Sequence, residues 1–139
     1  MRIVCITIDS REPAALAAFW NAALRWGGVV AAPDGGGAVC GPAEGGMYLE
    51  FVRVPESKTI KNRLHLGCTV GSIDDFDAEF QRLTSLGAEL AWREDFGSHI
   101  DRHYRNWVLR DPEGNEFCFG GGDWPEGVDV PSEVPTSHP

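Results

Sequence analysis

Residues 63–83 read RLHLGCTVGSIDDFDAEFQRL. The first eight alternate: Leu64, Leu66, Cys68 and Val70 fall on one side, His65, Gly67 and Thr69 on the other. A period of two predicts a strand with one buried face. Ser72, followed three positions later by Asp75, has the form of a capping box that opens a helix. Ile73, Phe76, Phe80 and Leu83 supply the buried stripe of that helix, and Gly87 is expected to end it.

Working outward, the same opening occurs near the N-terminus. In RIVCITID (2–9), Val4, Ile6 and Ile8 oppose Ile3, Cys5 and Thr7, which predicts a strand. Pro13 suits a first helical position, and AALAAFWNAALRW (14–26) places Leu16, Phe19, Trp20, Ala23 and Leu24 on one side. Gly27 and Gly28 are expected to end this helix. After each helix come three strand-like segments. They are VVAA, AVCG and MYLEFVRV in the first half, and AELAWRE, HYRNWVLR and NEFCFG in the second. Turn-forming residues separate them: Asp34 to Gly37, Gly45-Gly46, and Asp111 to Gly114. Residues 55–61 are polar and read as a linker.

The order is therefore βαβββ, linker, βαβββ, which predicts an α+β fold of two tandem modules. One βαβββ sheet has a helix on one face and nothing on the other, so two bare faces are expected to curl into a cup or open barrel. The domain is expected over 1–122, with modules at 1–55 and 62–122 and a loose tail over 123–139.

The chain has 139 residues, 42% apolar and 24% charged, with a net charge of −9. Such a surface repels nucleic acid and anionic membrane and favours a cationic small ligand, although acidic charge also maintains solubility. No stretch approaches the ~20 apolar residues of a membrane span. The first residues run straight into a strand, so a cytoplasmic protein is expected. Its four cysteines, Cys5, Cys40, Cys68 and Cys118, are then reduced. They form no CxxC pair, and a zinc-ribbon or thioredoxin reading has no support.

RLHLGCTV, DDFDAEFQRLTSLGAEL and WVLRDPEGNEFCF together resemble the glyoxalase-like domains of the glyoxalase/bleomycin-resistance (vicinal oxygen chelate) superfamily. PAALAAFWNAALRW is similar to the first helix of those domains, and the resemblance spans residues 2–120. It implies a scaffold that hosts lyases, ring-cleaving dioxygenases, epimerases, thiol transferases and antibiotic-sequestering proteins. It also implies four metal-ligand positions, which fall on Cys5, Glu50, His65 and Cys118. Metal-dependent glyoxalases use His or Gln and Glu there. Only Glu50 and His65 match, so a typical glyoxalase I is not expected.

Three readings of the quartet compete. Its donors suit zinc or iron, although two thiolates resemble a closed structural site more than an open catalytic one. Cys5 or Cys118 beside His65 could be an activated nucleophile. In the third reading the cysteines are small apolar residues and His65 is a hydrogen-bonded pocket residue. That reading favours no metal and no other cofactor. Glu116 shares the face of Cys118 and is a substitute ligand in the metal case.

The candidate ligand-binding residues are Cys5, Tyr48, Glu50, His65, Trp92, Trp107, Glu116 and Cys118, with Glu50 and His65 the candidate catalytic pair. Trp20 and Trp26 read as core, and Trp92 and Trp107 as cavity lining or cavity filling. His99 and His103 read as a solvated loop. The expected function is binding of a small organic ligand, cationic or aromatic, in the cup of a homodimer without a catalytic metal. The alternative is a metal-dependent lyase, isomerase or dioxygenase.

Overall fold

The computed structural model describes residues 1–123 and 125–127. Most of the expected tail, including Trp124 and His138, lies outside the described residues. The elements are β1 (Cys5–Ser10), α1 (Pro13–Ala23), β2 (Gly28–Ala31), β3 (Gly37–Gly41), β4 (Tyr48–Arg53), β5 (Leu66–Thr69), α2 (Phe76–Ser85), β6 (Glu89–Arg93), β7 (Tyr104–Arg110) and β8 (Glu116–Gly122).

The two halves share one topology. Strand order is β1-β4-β3-β2 in one sheet and β5-β8-β7-β6 in the other. The pairs β1–β4 and β5–β8 are parallel, and the remaining pairs are antiparallel. The fold is thus α+β, with two mixed four-stranded sheets that do not close into a full barrel.

Pro13 opens α1, as its fixed φ favours. The helix ends before Gly27 and Gly28, at Arg25, which takes a left-handed φ of 52°. The capping box does not form. Ser72 Oγ instead accepts the Asp74 N–H at 3.2 Å, and α2 begins only at Phe76. The short Ser72 hydroxyl is used up in a local turn, which competes with the helix for the same N–H groups.

The helix faces of both sheets drain into one core. Leu16, Phe19, Trp20, Leu49, Phe51, Phe76, Leu83, Leu109, Phe117 and Phe119 are all buried in it. Phe117 joins the halves: its ring lies 5.0 Å from Trp20 and 6.5 Å from Phe19, both on α1.

Polar clasps reinforce the join. Trp20 Nε1 donates to Asp111 Oδ2 at 3.1 Å. Glu113 accepts from Ser10 Oγ and from the backbone N–H groups of Arg11 and Glu12, at 2.7–2.9 Å. Glu116 accepts from Asn62 N and Lys58 Nζ, both at 3.0 Å, which pins the linker to β8. Arg82 of α2 donates to the α1 carbonyls of Ala22 and Ala23.

These clasps set the acid stability. Hydrogen bonding from Arg82 holds the Glu79 carboxyl below its usual range. Burial pushes Glu113 and Glu116 up, but the donors around each outweigh it, and both sit below the ordinary 4.5. Carboxyls lowered by folding contribute stability that is present above the ordinary value and is lost as pH falls below it. Asp111, raised by burial, has the opposite sign and loses stability as pH rises through its shifted range. With three lowered groups against one raised, the urea midpoint is expected to fall as pH drops below 4.5. Glu113→Gln is expected to flatten that fall. An unchanged pH slope in this variant would contradict the assignment.

Candidate functional site

Each sheet has an open face opposite its helix. On the first, β1 and β4 present Cys5, Thr7, Tyr48, Glu50 and Val52, because Leu49 and Phe51 alternate into the core. Thr7 Oγ1 donates to Glu50 Oε2 at 2.7 Å. A hydrogen bond with the Cys5 side chain holds the Tyr48 hydroxyl above its ordinary range. This face is largely exposed.

The second open face is better enclosed. Phe117 and Phe119 point to the core, so Glu116 and Cys118 point outward. Cys118 Sγ lies 3.8 Å from His65 Nδ1. The His65 ring lies 6.2 Å from Trp92, and Lys61 Nζ sits 4.3 Å above the Trp92 ring. Glu94 Oε2 accepts from Asn106 Nδ2 at 2.6 Å. Val108, the register partner of both Cys118 and Trp92, lies between them on the same face and is fully buried.

The expected site is therefore divided. His65, Trp92 and Cys118 come together on the second face, and Cys5, Tyr48 and Glu50 lie together on the first. The hollow between the modules, about 670 Å³, is lined by β1, the linker and Glu116, with none of Cys5, Glu50, His65 or Cys118 among its lining residues.

Among the described residues, no group of three or more His, Cys, Asp or Glu side chains could hold a metal ion. Glu116, the suggested substitute ligand, is committed to Lys58 and Asn62. The implied donor set does not fit a metal within this chain.

Trp107 is a correction. Its partner across the ladder is Phe119, so it shares the helix face. There it makes edge contacts with Phe76 and Phe80 at 4.8 and 4.9 Å, with the Arg93 guanidinium on its ring. Glu94, Asn106, Lys61 and Tyr104 were not singled out from the sequence. The alternation of Trp92 with Glu94, and of Tyr104 with Asn106 and Val108, was the available signal. A register shift between Leu90 and Trp92 obscures it. His99 and His103 lie in turns, as their polar surroundings suggested.

Burial pushes the Cys118 thiol up, and the Glu94 carboxylate pushes it further, against a smaller opposing effect of Asn106. The thiol is therefore protonated at neutral pH, which works against an activated nucleophile. Iodoacetamide at pH 7 should alkylate Cys118 roughly tenfold or more slowly than a cysteine in the unfolded chain, because the thiolate is the reacting form. Peptide mapping by mass spectrometry measures this, and Glu94→Gln should raise the rate. Alkylation at the free-cysteine rate would contradict this environment.

Comparison with known proteins agrees with this architecture. The family model described as "Glyoxalase-like domain" matches residues 5–120. No curated protein matches the chain. A glyoxalase/bleomycin resistance protein/dioxygenase family enzyme from Burkholderia phytofirmans is similar in structure, with 18% identity, a TM-score of 0.65, and 86% of this chain and 97% of that one covered. A glyoxalase/bleomycin resistance protein/dioxygenase from Nocardioides gives 17% identity, a TM-score of 0.66 and coverage of 96% and 89%. A lactoylglutathione lyase from Agrobacterium tumefaciens gives 14%, 0.58, and 87% and 93%. At these identities the structural neighbours establish the fold alone. The family match spans most of the chain, and with the repeated βαβββ topology it places this protein in the glyoxalase-like domain family of the glyoxalase/bleomycin-resistance superfamily.

Proposed function

We propose that the open face of the second module binds a small organic ligand with a flat, positively charged part, and that the protein acts by this binding without a catalytic metal. One observation carries the reading: Lys61 Nζ stands 4.3 Å above the Trp92 ring. An ammonium there is attracted by the ring quadrupole, so the site already accommodates a cation on an aromatic wall. A ligand cation can replace Lys61. Glu94 stands on the same face, and the net charge of −9 draws cations toward it. Next to Trp92 lies a depression of about 390 Å³ lined by Lys58, Lys61, Arg110 and Glu116, so the ligand's cation must displace Lys61 from the Trp92 ring rather than add to these charges.

Titration of tryptophan fluorescence with planar cations tests this, with proflavine as first probe and neutral acridine as control. About 0.15 M salt suppresses non-specific attraction to the acidic surface. Saturable quenching by the cation is expected, weakened roughly tenfold in Trp92→Leu and Glu94→Gln. Equal affinity in Trp92→Leu, or no response across a panel of planar cations, would sink the proposal. Elemental analysis tests its metal-free half. Stoichiometric zinc, nickel, manganese or iron in anaerobically purified protein would overturn that half.

The same reading includes a cytoplasmic homodimer. Val30, Tyr48 and Val52 leave the first open face exposed and apolar, and a second copy would cover them. Sedimentation should give twice the 15.2 kDa chain mass, reduced in Tyr48→Arg.

A further inference from the structure

On the helix side of the sheets, α1 and α2 leave a cleft of about 680 Å³ between them. That size suits a small molecule, since such sites typically measure ~300–1,000 Å³. The walls are apolar at depth, where Trp20, Phe117, Cys68 and Leu83 face the space. The rim carries two guanidinium groups. Arg82 directs its nitrogens to Glu79 and to the α1 carbonyls of Ala22 and Ala23, at 2.6–2.9 Å. Four of its five N–H donors are engaged in this clasp. Arg25 donates from Nη2 alone, to Glu79 Oε2 at 2.9 Å, and its side chain is 67% exposed. Among the described residues its guanidinium makes no other hydrogen bond, so most of its donors face the rim unengaged.

The backbone makes Arg25 unusual. Both helices end in the same hydrogen-bonded motif. In α1, Trp26 N donates to Asn21 O and Arg25 N to Ala22 O; in α2, Ala88 N donates to Leu83 O and Gly87 N to Thr84 O. The motif needs one left-handed residue, normally glycine. The second module uses Gly87, with φ 109°, but the first uses Arg25, with φ 52°. Arg25 is the sole non-glycine with positive φ among the described residues. The strain of an arginine at this corner calls for a return from its side chain. The ion pair with Glu79 engages only one of its nitrogens and leaves the rest of the guanidinium exposed.

We propose that the α1–α2 cleft is a second ligand site, for a small monocarboxylate with a flat apolar body. The carboxylate pairs with the Arg25 guanidinium, whose fork matches its two oxygens. The body lies over Phe117, Cys68 and Leu83. Glu79 and Asp75 balance the two arginines on the lining, which disfavours dianions and phosphates. The site is distinct from the open face around His65 and does not depend on it.

The test uses 1-naphthoate as probe, followed by the leucine methyl signals in two-dimensional NMR and by calorimetry. Saturable shifts at Leu24 and Leu83 are expected, with 1-naphthalenemethanol bound roughly tenfold more weakly because it lacks the carboxylate. Arg25→Gly should weaken 1-naphthoate by about tenfold while leaving the melting temperature unchanged or higher, since it removes the backbone strain. Arg25→Asn, which tolerates the left-handed region, should show the same loss if the glycine variant misfolds. Ala78→Trp should fill the cleft and abolish the shifts. The proposal is overturned by no shift at Leu24 or Leu83, by equal binding of the alcohol, by unaltered affinity in both Arg25 variants, or by shifts confined to Trp92.

Discussion

Phe117→Ala should destabilise the protein by about 3–5 kcal/mol, the usual result of emptying a buried aromatic site. Phe117 is 1% exposed and touches Trp20 and Phe19 of the other module. The cavity therefore opens at the join between the halves, where neither sheet can collapse alone to fill it. A domain of this size is stable by only ~5–15 kcal/mol, so the loss removes a large share. Because one core cluster spans both modules, unfolding should remain a single transition at a lower urea midpoint. A variant that loses one module's signal while the other unfolds at its original midpoint would contradict a shared core.

Asp111→Ala is expected to cost about 3–5 kcal/mol, because it strands several buried donors at once. The carboxylate accepts from Trp20 Nε1, from the backbone N–H groups of Glu113 and Asn115, and from Asn115 Nδ2. It closes the turn after β7 and anchors α1 to that turn. Burial has raised the Asp111 carboxyl, so Asp111→Asn, which keeps a carbonyl oxygen for the two backbone donors, should cost clearly less. Denaturant midpoints measure both. Equal losses would mean that charge, rather than hydrogen-bond acceptance, is what the site requires.

Element order was legible because it follows from short-range pattern. The alternation in 63–70 and 2–9 and the apolar stripe of α1 each needed only neighbours in sequence. Side-chain parity was legible where a strand is regular: Cys118 lies opposite Phe117 and Phe119, and Glu50 opposite Leu49 and Phe51. Trp107 was ambiguous because its facing depends on pairing with Phe119, a long-range contact. Ser72 misled because its hydroxyl has a closer partner in Asp74 N than in any helical N–H. The division of Cys5 and Glu50 from His65 and Cys118 follows from their lying on separate sheets, a long-range arrangement that no local pattern records. The ties from Glu116 to Asn62 and Lys58 are equally non-local. Arg25 hid the end of α1 because arginine seldom takes the left-handed corner that Gly27 seemed to offer.

The most direct test of ligand capture on the second open face is a chemical-shift map of labelled protein titrated with proflavine. The His65 imidazole and Trp92 indole signals should move together and saturate, while the indoles of Trp20 and Trp107, on the helix side, stay in place. Movement confined to Trp20 and Trp107, or no saturable movement at His65 and Trp92, would contradict it.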